Sequence, residues 1–194
     1  MQHWLNRSHI LIGALLLALS GSVAAPVASR AADAPALIDT HFDLTRLDGR
    51  EVTEADYRGK WLIVYFGYTF CPDVCPTTLG QIGAALDSMG SKADSLQPIF
   101  ITLDPARDSA TVMTAYLKAF SPRFIGLRGS GMEIAETAQQ FHAYYRMRSI
   151  GNGQYTVDHS SYVYVIDPDG KFVELLTPDA PGHSLAEALR KLVK

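Results

Sequence analysis

The run Trp61-Leu62-Ile63-Val64-Tyr65-Phe66-Gly67 is apolar on both of the faces a strand would present. Such a run predicts a central strand covered on each side. Upstream, Phe42-Asp43-Leu44-Thr45 and Glu51-Val52-Thr53 flank Leu47-Asp48-Gly49-Arg50. Its Asp-Gly pair is a turn signal for a small hairpin. Downstream, Pro76 suits the first position of a helix running to about Met89. Residues 97–103 read as the next strand, with Pro98 at its tolerant first end. Asp104-Pro105-Ala106-Arg107-Asp108 is a loop, and Asp108 or Ser109 can cap a helix that ends before Pro122. Residues 124–127 form a short strand. From Gly131 to about Met147 the spacing is helical, with Ile134, Ala138, Phe141 and Tyr145 on one face. A hairpin over residues 162–176, turning at Asp167-Pro168-Asp169-Gly170, precedes a final helix near Ser184–Val193. This order predicts an α/β fold: a three-layer sandwich with a central mixed β-sheet and an N-terminal β-hairpin.

The first residues have a different pattern. Arg7 precedes an apolar run, Ile10 to Leu19, broken only by Gly13, and small residues follow at Ser22-Val23-Ala24-Ala25. That arrangement is expected of a signal peptide, with a later cut near Ala31 or Ala32 also fitting. The run is about half the length of a confident membrane span, and weakly apolar residues extend it towards Ala28. Residues 1–32 are therefore expected to be a signal peptide or an N-terminal membrane anchor plus linker, and residues 33–194 a single exported domain. With no twin arginine and no lipobox cysteine, a Sec-type route is expected.

Charge narrows the function classes. Without residues 1–32, which contain Arg7 and Arg30, 15 basic residues face 20 acidic ones, and no basic run interrupts them. Nucleic-acid binding, which depends on neutralising phosphates, is disfavoured.

The chain has two cysteines, both in Cys71-Pro72-Asp73-Val74-Cys75, between the apolar strand and a helix. A structural disulfide there would close a very short loop, stabilising by roughly 2 kcal/mol in the chain-entropy model, a poor use of both thiols. Position argues for reactivity, because a helix N-terminus favours thiolate. Three intervening residues, against two in thioredoxin-type pairs, loosen the turn and let both sulfurs face one ion. Two thiolates can hold Cu(I); Cu(II) asks for a harder third donor such as imidazole. Zinc in a Cys-Cys-His set with one open position is a further reading, although structural zinc wants a fourth donor and none is evident.

Of six histidines, His3 and His9 lie in the targeting segment, His41 enters the hairpin, His142 reads as mid-helix, and His183 approaches the last helix. His159, in Asp158-His159-Ser160-Ser161, sits just before the strand at 162–166, where loops of sheet-based redox folds face the cysteine turn. Asp158 either orients the imidazole or is a solvated carboxylate. Asp73 is read chiefly as turn-stabilising, with weak ligation or proton acceptance as the alternatives.

The blocks Tyr65-Phe66-Gly67-Tyr68-Thr69-Phe70-Cys71-Pro72-Asp73-Val74-Cys75-Pro76, Thr102-Leu103-Asp104-Pro105-Ala106-Arg107-Asp108, Asp158-His159-Ser160 and Tyr164-Val165-Ile166-Asp167-Pro168-Asp169-Gly170 occur in order across residues 40–194. In these the chain resembles the Sco/SenC copper-binding proteins of cytochrome c oxidase assembly. The resemblance implies a thioredoxin-like fold and a copper site of Cys71, Cys75 and His159. It also implies a periplasmic metallochaperone, soluble or tethered to the inner membrane, that supplies the dinuclear copper centre of oxidase subunit II or keeps its cysteines reduced. An upstream periplasmic copper donor or thiol reductant would serve it. Many relatives carry a polar residue, often histidine, before the first cysteine; here it is Phe70, whose ring is expected to shield the thiolates. Two rival functions remain: a metal-free thiol–disulfide oxidoreductase using Cys71 and Cys75 as a redox pair, and a thiol peroxidase. The peroxidase needs an arginine-assisted Thr/Ser-x-x-Cys loop, which Pro72 and the second thiol do not provide.

Overall fold

The structure, a computed structural model, describes residues 38–178 and 184–193. The expected targeting segment, with His3 and His9, and His183 lie outside these residues. Chain order is β1 (Asp43–Arg46), β2 (Glu51–Thr53), β3 (Trp61–Gly67), α1 (Val74–Met89), β4 (Leu96–Thr102), α2 (Ala110–Lys118), β5 (Ile125–Arg128), α3 (Gly131–Gln140), β6 (Tyr145–Gly151), β7 (Gln154–His159), β8 (Val163–Ile166), β9 (Phe172–Leu176) and α4 (Leu185–Leu192).

Seven strands form one sheet in the order β2-β1-β5-β4-β3-β8-β9, and β6 and β7 pair separately. The sheet is mixed: β3 runs parallel to β4 and antiparallel to β8. The apolar run thus becomes the inner strand β3, buried from Leu62 onward, because helices cover both its faces. On one face Tyr65 meets Phe100, which in turn meets Tyr116 of α2; Gly83 of α1 approaches the Phe120 backbone just past α2, and α4 packs on α1. On the other face Phe66 packs against Phe141, just past α3. The result is the thioredoxin-like three-layer arrangement expected.

Two boundaries depart from expectation. Helix α1 starts at Val74 rather than Pro76, so Cys75 is already helical. A proline in the first turn is tolerated because its missing N–H is one of the donors without an intrahelical acceptor. Ser109, not Asp108, caps α2, accepting from the Val112 N–H.

The larger departure is at α3. The apolar spacing predicts a helix to Met147, but α3 stops at Gln140. His142 is therefore no mid-helix residue: it adopts a left-handed φ of 53°. The Ala143 N–H bonds to the Ala138 carbonyl at 2.8 Å and the His142 N–H to that of Gln139 at 3.1 Å. That pair of bonds is a Schellman stop, here with histidine where glycine is usual. Residues 145–159 then form the β6–β7 hairpin, turning at Gly151-Asn152-Gly153, all three with positive φ.

Candidate metal centre

Strand β3 ends at Gly67, whose missing side chain makes room for the site. A Cβ there would lie 2.9 Å from Cys75 Sγ and 3.0 Å from Phe100 Cε2. The following turn, residues 68–73, delivers Cys71 at its rim and Cys75 in the first turn of α1. Cys75 is fully buried and Cys71 is 9% exposed; both are free thiols. The Cys75 N–H points at Cys71 Sγ, 3.4 Å away, so the Cys71 sulfur occupies the anion position of a helix N-terminus.

His159, the last residue of β7, completes the group. Single ligand atoms of Cys71, Cys75 and His159 all lie within 4.8 Å of one another. His159 Nε2 is 3.1 Å from Cys75 Sγ. Its Nδ1 is 2.9 Å from the Ser160 carbonyl, which can only accept a hydrogen bond. Nδ1 therefore carries the proton in the neutral ring, and the Nε2 lone pair faces the sulfurs. Asp158 does not orient the ring: it pairs with Arg148 at 3.2 Å, on the exposed side of the hairpin. His41 is likewise committed elsewhere, to Glu54 at 2.8 Å. Asp73 is not among the clustered donors; its carbonyl receives the Thr77 N–H and hydroxyl.

The two thiols are unequal. Cys71 is pushed down to about 4, chiefly by the hydrogen bond from Cys75, with backbone N–H groups adding to it against the cost of burial. Cys75 is pushed up, by that same bond to Cys71 and by burial. One proton thus stays on Cys75 while Cys71 is the thiolate.

Phe70 stands at the surface beside the cysteine turn. It is 57% exposed, and the Arg107 guanidinium lies 5.1 Å from its ring centroid, at the rim of the site.

Residues outside the donor set hold the halves together. Asp108, fully buried, accepts the Thr69 N–H and the hydroxyls of Thr69 and Thr102, each hydroxyl at 2.6 Å, which anchors the start of the cysteine turn. Asp104, also buried, accepts the Tyr155 hydroxyl at 2.8 Å and pairs with Arg107, whose other arm reaches the Tyr155 carbonyl. Tyr68 Oη and Thr156 Oγ1 are 2.9 Å apart. One loop, 104–108, therefore braces both the sulfur turn and the histidine strand. Sequence reading gave these side chains no role at the site; Asp108 was read only as a possible helix cap. The Gly-Asn-Gly turn was the available signal for their partner hairpin.

Comparison with known proteins adds the family. The SCO1/SenC family profile matches residues 30–194. Protein sco1 of Schizosaccharomyces pombe is 40% identical over 152 residues, 76% of this chain and 58% of that protein. Mitochondrial Protein SCO1 of Saccharomyces cerevisiae is 42% identical over 138 residues, 70% of this chain and 47% of that protein. The chain thus spans about half the length of the curated relatives it matches. The copper-bound structure of Bradyrhizobium japonicum ScoI is 39% identical, with a TM-score of 0.73 over 80% of this chain and 97% of that one. On the profile match, and with the cysteine turn and histidine brought together in that fold, the chain belongs to the SCO1/SenC family.

Proposed function

We propose that this chain carries copper as cargo on Cys71, Cys75 and His159, and assists assembly of the dinuclear copper centre of cytochrome c oxidase subunit II. The observation that carries the reading is the donor set: two sulfurs and one oriented imidazole nitrogen, clustered within 4.8 Å at a mostly buried site. Thiolates suit Cu(I), and the imidazole extends the set to Cu(II). Among the described residues no fourth histidine, cysteine or acidic side chain joins the group, which disfavours structural zinc and leaves a position for an incoming ligand. The copper-bound ScoI relative supports the same choice of metal. Copper leaves by exchange onto a partner's cysteines, one donor at a time. Residues 1–32 act as export signal or inner-membrane anchor, placing the domain in the periplasm; residues 33–194 are the copper-binding domain.

The unequal thiols favour one second reading, reduction of the partner's cysteines without metal. The Cys71 thiolate attacks the partner disulfide, forming a mixed disulfide and releasing one partner thiolate. Cys75 then gives up its proton and attacks Cys71 Sγ. The second partner thiol leaves, and two electrons pass to the partner as the Cys71–Cys75 disulfide forms.

One equivalent of Cu(II), added to reduced, anaerobic protein, tests the two. A strong sulfur-to-copper charge-transfer band, lost or shifted in His159→Ala, is expected. Oxidation to the disulfide without a band in either protein would favour the oxidoreductase.

A further inference from the structure

Beneath Cys75 are two buried hydroxyls that packing alone does not account for. Tyr65 Oη and Thr78 Oγ1 sit on fully buried side chains, and among the described residues neither has a partner of hydrogen-bonding geometry. Thr102, equally buried, shows the normal outcome, donating to Asp108 at 2.6 Å. A buried hydroxyl left unpaired is costly, so its retention asks for a reason.

The placement supplies one. Tyr65 lies two residues before Gly67 on the same face of β3. A Cβ at Gly67 would meet Cys75 Sγ at 2.9 Å and Tyr65 Cε1 at 3.2 Å, so the sulfur and the ring edge share one slot. Thr78 follows Cys75 by three residues on α1, which puts it on the same side of the helix. Burial, the first cause, raises the Tyr65 pKa, so this hydroxyl keeps its proton and remains a donor. Thr78 and Cys75 both bear on the Tyr65 hydroxyl.

We propose that Tyr65 is a tuning residue for Cys75: its O–H closes on Sγ in the reduced pair, most tightly as that sulfur gains charge, and the Thr78 hydroxyl donates to the Tyr65 oxygen behind it. Hydrogen bonds that are slack in the resting protein tighten when charge develops. A donor on the sulfur draws off electron density, favouring the reduced pair over the disulfide and weakening the sulfur as a ligand. The inference rests on Cys75 being an exchanging or ligating sulfur, as in both readings above.

The test uses the full chain, metal-free, equilibrated with reduced and oxidised glutathione. Tyr65→Phe keeps the ring and removes only the donor. It is expected to shift the Cys71–Cys75 equilibrium about fivefold towards disulfide, roughly 20 mV more negative. Thr78→Val is expected to shift it the same way by less. Tyr57→Phe removes another buried hydroxyl without a partner, one that packs beside Phe42, and is expected to change nothing. A Tyr65→Phe equilibrium within twofold of wild type, or an equal shift in Tyr57→Phe, would overturn the proposal. Charge-transfer spectra after Cu(II) addition give the second readout, with the Tyr65→Phe band expected at lower energy and an unmoved band counting against tuning. If no protein takes up copper, the copper reading falls, while the glutathione equilibrium still decides the role of Tyr65.

Discussion

The two halves of the metal centre are built differently. Cys71 and Cys75 join the inner strand of a seven-stranded sheet to a helix, and the Cys75 sulfur is fixed by Gly67, Tyr65 and the first turn of α1. His159 ends a two-stranded hairpin whose strand β6 is largely exposed. A hairpin of that kind is marginal alone. This one is held by Val157 in the core and by polar bonds from Tyr68, Asp104 and Arg107. The soft donors are therefore rigid and the harder donor is hung on replaceable bonds. For a carrier this difference has a use: sulfur holds the cargo while imidazole engages or yields as oxidation state and partner demand.

The difference predicts, first, that the sulfur half keeps its chemistry without the histidine. The Cys71 pKa is lowered to about 4, so its thiolate is present from pH 5 upward. Its reaction rate with a neutral disulfide reagent should change less than about threefold between pH 5 and 8, while that of the unfolded chain rises about 1000-fold. His159→Ala should retain this plateau, since the first cause of the shift is Cys75. A steep pH dependence in the variant would tie the two halves together. The linked stability has a definite sign. A lowered folded-state pKa adds stability that is present above the ordinary thiol range near pH 9 and is lost as pH falls towards 4. Above that range the raised pKa of Cys75 acts in reverse.

Second, Gly67→Ala attacks the rigid half. The new Cβ would press on Cys75 Sγ and Phe100, overpacking worth about 1–3 kcal/mol. At roughly 2–4 °C per kcal/mol, thermal unfolding of the reduced protein should fall by about 2–12 °C, with altered Cys75 alkylation.

Third, Tyr155→Phe attacks the hung half. Losing the hydroxyl bond to buried Asp104 should cost about 1–3 kcal/mol and loosen the hairpin. Cu(II) affinity is expected to drop about tenfold, with Cu(I) affinity nearly unchanged. Equal losses for both oxidation states, in competition titrations, would refute the division of labour.

The smallest effect belongs to Asp158→Ala. Its pairs with Arg148 and Arg146 are exposed, so stability should change by less than about 1 kcal/mol. The Cu(II) spectrum should be unmoved, because Ser160, not Asp158, sets the tautomer of His159.

What was legible in the chain followed from local rules. The run 61–67 is apolar on both faces and became an inner strand. The Asp-Gly turn closed the first hairpin, and paired thiols at a strand-to-helix turn marked the chemistry. His159 was singled out among six histidines only through its place before β8 and the family resemblance. Elsewhere a helical period misled: Tyr145 continues the apolar stripe of α3, yet belongs to β6. Periodicity records which residues seek burial and does not say whether a backbone stop at His142 intervenes.

The sequence by itself determined the order of the elements outside residues 141–159, the nature of the donors and their family. Only the tertiary structure decided that His159 meets the sulfurs from a hairpin, that Asp104 and Asp108 brace the two halves, and that Asp158 and Phe70 face outward. Donor chemistry resides in single side chains and can be read one residue at a time. Convergence of positions 84 residues apart, such as Cys75 and His159, depends on the packing of every element between them.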